Sequence, residues 1–587
     1  MWNPFLSLFI HVAEEMTTIT DANFLQYAPQ LRESILCSDF IAIDFEFFGL
    51  DTDAISLHDT IETRYCLLRN NVIKYRPCQL GLSIFKQMKN GSYVADTYSI
   101  PLLRRTGPSD SLLNTKSMRF LMNHELDLRQ IFAEGVEYCN RSELKAFQRA
   151  LKSGELLSSI GKENVGKIEC LKVMLLEKIY QANSELITHS TEEFIPPSPA
   201  LNPRSSIALK MPGAKKSTFE ICVFIYEMTK SFPQFQFSVD EQKFSLIVNN
   251  LPNMIDRNEN LKHAQNKCLE AFVGISAIME TAMLKRKLIV GHNSLLDFIY
   301  MYHYFFETLP ESYDDFKRIF HKLCPKVVDT KVLALMLRTE IPEVDNSLEH
   351  LGNFFHSDRA DRMVPPEIRG AIKLWTHNGN TEEFDQKSYH DAGYDAYITG
   401  SVFLKLAHIF VNKRNLMKNE IINFKRMLQF LVTSVQNRLP FQLLDVGWCN
   451  LAGKDEKGFR PDIITVVRRD RQPIDVVEFK KQEDDLEKVM ATYKFSMERT
   501  RDQMAILLAT NTPSSYAFLC SRFSKNKTLG LRDELQTGIS MTFEQRLMSW
   551  RLFKDEMSEF NPSTTLCAYE QVRKMEAALL IEARITE

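Results

Sequence analysis

Asp44-x-Glu46 is the first place in this chain where residue type and spacing suggest chemistry. The two acids interrupt the apolar run Phe40-Ile41-Ala42-Ile43-Asp44-Phe45-Glu46-Phe47-Phe48, which Gly49 closes. Such a β-rich run predicts a buried strand. Residues i and i+2 of a strand face the same way, so both carboxylates leave one side of an apolar element. Buried like charges repel, and they take up protons unless a cation lies between them. Hard divalent ions with oxygen ligands, Mg²⁺ or Mn²⁺, are the natural partners. Taken alone, the pair also fits an incidental acid pair at a strand end.

Two further places carry acids. Gly291-His292-Asn293-Ser294-Leu295-Leu296-Asp297 follows a predicted strand, Arg286 to Val290, and puts Asp297 in the first turn of an amphipathic helix. An acid there can also simply stabilise the helix dipole. Tyr389-His390-Asp391-Ala392-Gly393-Tyr394-Asp395-Ala396-Tyr397-Ile398-Thr399-Gly400 sets Asp395 at the start of an apolar helix, five residues after His390. Histidine is the side chain best suited to accept a proton near neutral pH. Together, Asp44, Glu46, Asp297 and Asp395 are four acids on three elements. Such a set can hold two metal ions, one activating an attacking water and one stabilising a leaving 3′-oxygen, with His390 removing the proton from the water.

This order resembles the four-carboxylate (DEDD) exonucleases of ribonuclease-H-like fold. Their series is Asp-x-Glu, then Asp, then His or Tyr shortly before a last Asp. The His form has histidine five residues before that Asp, as here; the Tyr form needs tyrosine where this chain has Asp391. Ala42-Ile43-Asp44-x-Glu46-Phe47-x-Gly49, Gln79-Leu80-Gly81-Leu82, the Gly291 to Asp297 run, Asp329-Thr330-Lys331 and the His390 to Gly400 run are similar to the poly(A)-specific ribonuclease (PARN) family. The likeness spans roughly residues 20 to 140 and 270 to 415.

The resemblance implies a 3′→5′ exoribonuclease that shortens single-stranded RNA from a free 3′-hydroxyl and releases 5′-nucleotides. Its substrates would be poly(A) tails or small RNAs such as piRNA precursors. It implies Asp44, Glu46, Asp297 and Asp395 as ligands of two Mg²⁺ ions, replaceable by Mn²⁺, and His390 as the base. Lys331 matches a family lysine that contacts RNA; a solvated surface lysine is the other reading. Phe47 either wedges against the terminal bases or belongs to the core. His292 and Asn293 either adjoin the site or cap the Asp297 helix. Phe48 stands where the family carries Ser or Thr, so a bulky ring is expected to change how the last nucleotide seats. Arg468-Arg469 and Lys480-Lys481 read as ordinary solvated charge.

The elements that must position these residues predict an α/β chain. The expected architecture is a ribonuclease-H-like exonuclease fold, a mixed central sheet flanked by helices, with an inserted helical module and a small C-terminal α/β domain. The expected division is 1–140 and 271–435 for the nuclease, 141–270 for the insert, 436–530 for the small α/β domain, with an RNA-recognition-like domain as one reading of it, and 531–587 for a helical tail. Strands are predicted over Gln79 to Phe85, Tyr93 to Ile100 and Lys326 to Asp329. Helices are predicted over Asp21 to Ser38, Met118 to Phe132 and Tyr389 to Ile409.

The bulk numbers agree with several domains. The chain has 587 residues, too many for one hydrophobic core. Its net charge of −3 is silent about nucleic acid, because a basic groove is a local patch. Eleven cysteines without a C-x-x-C pair read as reduced, mostly buried thiols of a cytoplasmic or nuclear protein. No run approaches the ~18 apolar residues of a membrane span, and the apolar residues Met1 to Ile10 read as a packing segment. A trimmer of small RNAs without a membrane helix would then need a protein partner that delivers the RNA, or a soluble compartment, and members of the family that this chain resembles often form homodimers. Two other functions remain open: an inactive RNA-binding scaffold of the same fold, and a DNA exonuclease.

Overall fold

The structure is a computed structural model. It describes residues 17–456 except 56–60, 106–111, 157–161, 188–206, 212–216, 342–345, 365–372, 375–389, 414–422 and shorter gaps; beyond 456 it describes chiefly the strands named below. The apolar residues 1–10, Tyr389, Lys480-Lys481 and most of the predicted tail fall outside the described residues.

The chain divides into two compact units. The first comprises Met1–Leu50, Asn71–Leu309 and Ile319–Asn437, and the second the remaining segments. The order opens with β1 (Thr17–Thr18), α1 (Asp21–Cys37), β2 (Phe40–Phe47), α2 (Ile61–Lys74), β3 (Pro77–Gln87), β4 (Tyr93–Pro101), α3 (Thr115–Asn123) and α4 (Leu128–Glu134). The predicted helix Met118 to Phe132 is thus two helices. Asp127 explains the break: its carboxylate accepts the Gln130 N–H and starts α4 as an N-cap.

A mixed seven-stranded sheet runs β1-β4-β3-β2-β8-β9, where β8 is Leu288–Gly291, β9 is Val327–Asp329, and β10 (Lys373–Leu374) pairs with β4. β2 is antiparallel to β3 and parallel to β8. The helix Ala392–Lys413 packs on this sheet with nearly every residue buried. Two glycines allow it to lie so close. A Cβ at Gly81 would fall 1.6 Å from the Ala392 carbonyl oxygen, and one at Gly400 would meet the Phe85 ring at 2.1 Å. Gly81 is the register partner of Asp44, so the close approach occurs directly beside the acids. Gly81→Ala is expected to push the helix start off the sheet and to destabilise the fold by about 1–3 kcal/mol, read from the urea midpoint. An unchanged midpoint would mean that the helix does not sit this close.

Residues 141–270 are not a purely helical insert. They hold three antiparallel strands, β5 (Ile207–Lys210), β6 (Phe235–Asp240) and β7 (Ser245–Asn250), in the order β5-β7-β6. The signal lay in the alternation of Phe235 and Phe237, buried, with Gln236 and Ser238, exposed. This part has its own hydrophobic cluster, in which Phe147 stacks on Phe272 at 3.9 Å.

The second unit contains the hairpin β11 (Arg438–Pro440) and β12 (Trp448–Asn450). It also holds a four-stranded antiparallel sheet of β13 (Ile463–Arg468), β14 (Phe495–Arg499), β15 (Ala505–Thr510) and β16 (Leu535–Thr537), in the order β14-β15-β13-β16.

Candidate active site

Asp44 and Glu46 stand near the end of β2, half-buried on one face of the strand. The parallel pairing of β2 with β8 stops at Ala42 and Val290. Beyond that point the edge of β2 has no strand partner on the β8 side among the described residues, and its N–H groups need other acceptors. Asp297 supplies one: its Oδ1 accepts the Phe45 N–H at 3.1 Å. The helix Leu295–Phe305 is thereby tied to the strand that carries the other two acids.

The loop before that helix hangs on Asp329, which is fully buried at the end of β9. Its carboxylate accepts the N–H groups of Asn293, Ser294 and Lys331 and the Ser294 hydroxyl, at 2.8–3.1 Å. His292 reaches Thr330 Oγ1 through Nδ1 at 2.8 Å. Burial first, and then the Lys331 charge, lower the His292 pKa to about 3, so its ring is neutral. Ser294 is the cap position of the Asp297 helix, which leaves His292 and Asn293 outside it as loop residues. The capping alternative for those two residues therefore fails.

The last acid arrives with the helix Ala392–Lys413. Asp391 caps it, taking the N–H groups of Gly393 and Tyr394 on Oδ1. Its Oδ2 accepts from Gln79 Nε2 at 2.9 Å and Ser99 Oγ at 3.3 Å, while Gln79 Oε1 accepts the Ala392 N–H. Gln79 is the register partner of Glu46. A three-residue stretch of β3, Gln79 to Gly81, therefore docks the helix start against the strand bearing Asp44 and Glu46.

Asp395 is buried, and its Oδ2 accepts the His390 N–H at 3.1 Å. Its Oδ1 has no hydrogen-bond partner among the described residues. Ligand atoms of Glu46, His390 and Asp395 lie within 4.8 Å of one another. Burial, and then the charges of Asp297, Asp395 and Glu46, push Asp44 well above the usual carboxylate range. Burial likewise leads for Glu46, with Asp395 and Asp297 next. It also leads for Asp297 and Asp395, each pushed up to about 7. A crowded, desolvated set of acids with an orphaned carboxylate oxygen is chemically suited to divalent cations. Burial first and His124 second hold the His390 imidazole below its ordinary pKa, which keeps it ready to accept a proton.

Residues 19–403 match the CAF1 family ribonuclease. The chain belongs to the CAF1 family of ribonucleases. Its relatives include the 3′-5′ exoribonuclease parn-1 of Caenorhabditis elegans, 51% identical over 92% of this chain and 95% of that protein. The poly(A)-specific ribonuclease PNLDC1 of Mus musculus is 25% identical over 75% of this chain and 80% of its own length. The pre-piRNA 3′-exonuclease trimmer of Bombyx mori is 24% identical over 76% and 81%. The mixed sheet with flanking helices is the ribonuclease-H-like fold that the motifs imply for this CAF1 family chain.

The remaining sequence candidates fall as follows. Phe47 is half-buried and stacks on Tyr300 at 3.9 Å. Lys331 is half-buried in the first turn of the helix Thr330–Met336. Phe48 is buried among Cys78, Met118, Leu121 and Ile131 and stacks on Phe132, so it supports α3 and does not line the acid cluster. The ring expected to change how the last nucleotide seats thus packs under α3 in this structure. Gln79, Ser99, Asp329 and Asp391 escaped the sequence as site residues. Gln79 and Asp329 lie inside motifs that were legible, but their hydrogen bonds to distant loops were not.

Proposed function

We propose that Asp44, Glu46, Asp297 and Asp395, with His390, form the hydrolytic centre of this 3′→5′ exoribonuclease. The observation that supports this best is the convergence of four acids from three separate elements on one half-buried place, beside a histidine hydrogen-bonded through its backbone to the last acid. The acids would hold two Mg²⁺ ions, or Mn²⁺ in their place. When bound, these ions supply Lewis-acid stabilisation of the attacking and leaving oxygens. Asp44 and Glu46 fix the ligand set from the rigid strand, and Asp297 and Asp395 close it from two helices. His390 accepts the proton of the attacking water. Hydrolysis releases a 5′-nucleotide and leaves a new 3′-hydroxyl.

Phe47, Lys331, His292 and Asn293 are proposed to hold the terminal nucleotides, by stacking and by contact with the backbone. The second unit supports an RNA-recognition-like role for residues 436–530 together with the strand Leu535–Thr537, which lies within the segment expected to be a helical tail. In sequence, its four strands are ordered second-third-first-fourth across an antiparallel sheet, the order of a split β-α-β arrangement. The names of the relatives span poly(A) and pre-piRNA ends, and single-stranded RNA with a free 3′-hydroxyl is the substrate common to both. A homodimer, and a protein that delivers the RNA, are the partners proposed.

The test is a time course on 5′-labelled RNA with a short stem and a 3′ tail of A or of mixed sequence, with Mg²⁺ or EDTA, beside the same oligomer in DNA. A metal-dependent ladder on both RNA tails is expected of a general trimmer, and one on the A tail alone of a deadenylase. Equal ladders on RNA and DNA would favour a DNA exonuclease. RNA bound without any ladder would favour the inactive scaffold.

A further inference from the structure

His390 is held in an uncommon way. Its φ of +73° is left-handed, a region that few non-glycine residues occupy unless their surroundings fix it. One restraint is the N–H bond to Asp395. Among the described residues the ring itself makes no hydrogen bond; its contacts come from α3. The His124 ring meets it edge-to-face at 4.2 Å and 66°, and the Phe120 ring at 4.8 Å and 76°. The Phe120 and His124 rings touch each other at 4.4 Å. Three rings therefore brace one another beside the acids.

The brace is rigidly mounted. His124 is the residue that closes α3. Its Nδ1 lies 2.8 Å from the Phe120 carbonyl oxygen. A carbonyl only accepts, so Nδ1 carries the proton and the ring cannot turn freely. α3 is tied to the end of β2 by Asn114 N–H to the Phe48 carbonyl and by Leu50 N–H to Ser117 Oγ. Met118 and Leu121 are buried on Phe48 beneath it. The strand that carries Asp44 and Glu46 thus also fixes the helix whose end braces His390.

We propose that His124 is a positioning residue for the reaction, fixing the orientation of the His390 imidazole toward the attacking water through ring contact. The proposal rests on His390 being the base. His124 rather than Phe120 carries it, because its ring is the nearer one and is locked by its own hydrogen bond. Phe120 is 46% exposed and less constrained.

The experiment compares the full chain with its His124→Ala, His124→Phe, His390→Ala and His124→Ala/His390→Ala variants on 5′-labelled A-tailed RNA with Mg²⁺. A misplaced catalytic group costs about 10- to 100-fold in rate. His124→Ala is expected to lower kcat by about that factor with KM within about two-fold. His124→Phe keeps an aromatic edge and is expected to recover most of the rate. Because His124 acts through His390, the double variant is expected to be no slower than His390→Ala alone. Thermal unfolding of each variant shows that the fold is kept, and His124→Phe serves as the test if the alanine variant is unstable. An unchanged kcat in His124→Ala, a rise in KM alone, or a double variant slower by the full product of the single losses would each overturn the proposal. The second of these would make His124 an RNA contact instead. If His390→Ala itself kept the wild-type rate, the assignment of the base would fall, and the role of His124 with it.

Discussion

Asp44→Asn is expected to abolish nucleotide release and, at the same time, to make the metal-free protein more stable. The two effects share one cause. Asp44 is the acid on which the others converge: burial and the charges of Asp297, Asp395 and Glu46 all disfavour its ionised form. Asparagine keeps the shape and removes the charge. Without a cation the cluster then has one fewer mutually repelling carboxylate, and the thermal midpoint rises by a few degrees. With RNA present the same change removes a ligand and a preorganised charge from the reacting centre. Losses of about 10²- to 10³-fold in rate follow from removing a group of this kind. Single-turnover kinetics and calorimetry on one preparation read both effects. A variant that kept the wild-type rate would mean that Asp44 is not in the hydrolytic centre. A loss of rate with a lower midpoint would point to damaged folding.

What could be read from the sequence, and what could not, divides along the range of the interactions. Asp44 and Glu46 were legible because a period of two along one strand settles which face they share. Asp395 was legible because an unbroken run from His390 to Gly400 identifies the start of its helix. Asp329 and Gln79 were visible only as letters in motifs. Asp329 holds a loop some 36 residues upstream, and Gln79 caps a helix more than 300 residues downstream. No local spacing encodes such pairings. The burial of Phe48 was hidden for the same reason: a period of two puts it on the face of Asp44 and Glu46, but the register shifts between Glu46 and Phe47, and α3 covers the ring. The inserted sheet was missed for a different reason. Its strands are only four to six residues long and lie among lysine-bearing helices, so the helical pattern dominated the window. The brace of Phe120 and His124 had no sequence signal, because it depends on where α3 ends.

Mg²⁺ should stabilise this protein increasingly as the pH rises. Burial, followed for Asp44 and Glu46 by the neighbouring acids, raises the pKa of Asp44, Glu46, Asp297 and Asp395, in the last two to about 7. A carboxylate raised on folding contributes stability that is fully present below its unfolded pKa, near 4. That contribution is lost as the pH climbs through the folded value. The metal-free protein therefore loses stability from Asp297 and Asp395 between about pH 4 and about pH 7, and Asp44 and Glu46, raised well above the usual carboxylate range, act in the same direction as the pH rises. Divalent ions bind the ionised acids, so binding competes with protons less and less as the pH climbs. The midpoint gained from saturating Mg²⁺ over EDTA should accordingly be small near pH 5 and largest near pH 8, growing with the logarithm of ligand excess. Scanning calorimetry across that range, with Asp44→Asn as the comparison, measures it. The variant should show a flatter pH dependence and a smaller gain. A Mg²⁺ increment that stayed constant from about pH 5 to about pH 8 would show that the ion binds elsewhere, because only groups titrating in that window can make the increment change with pH.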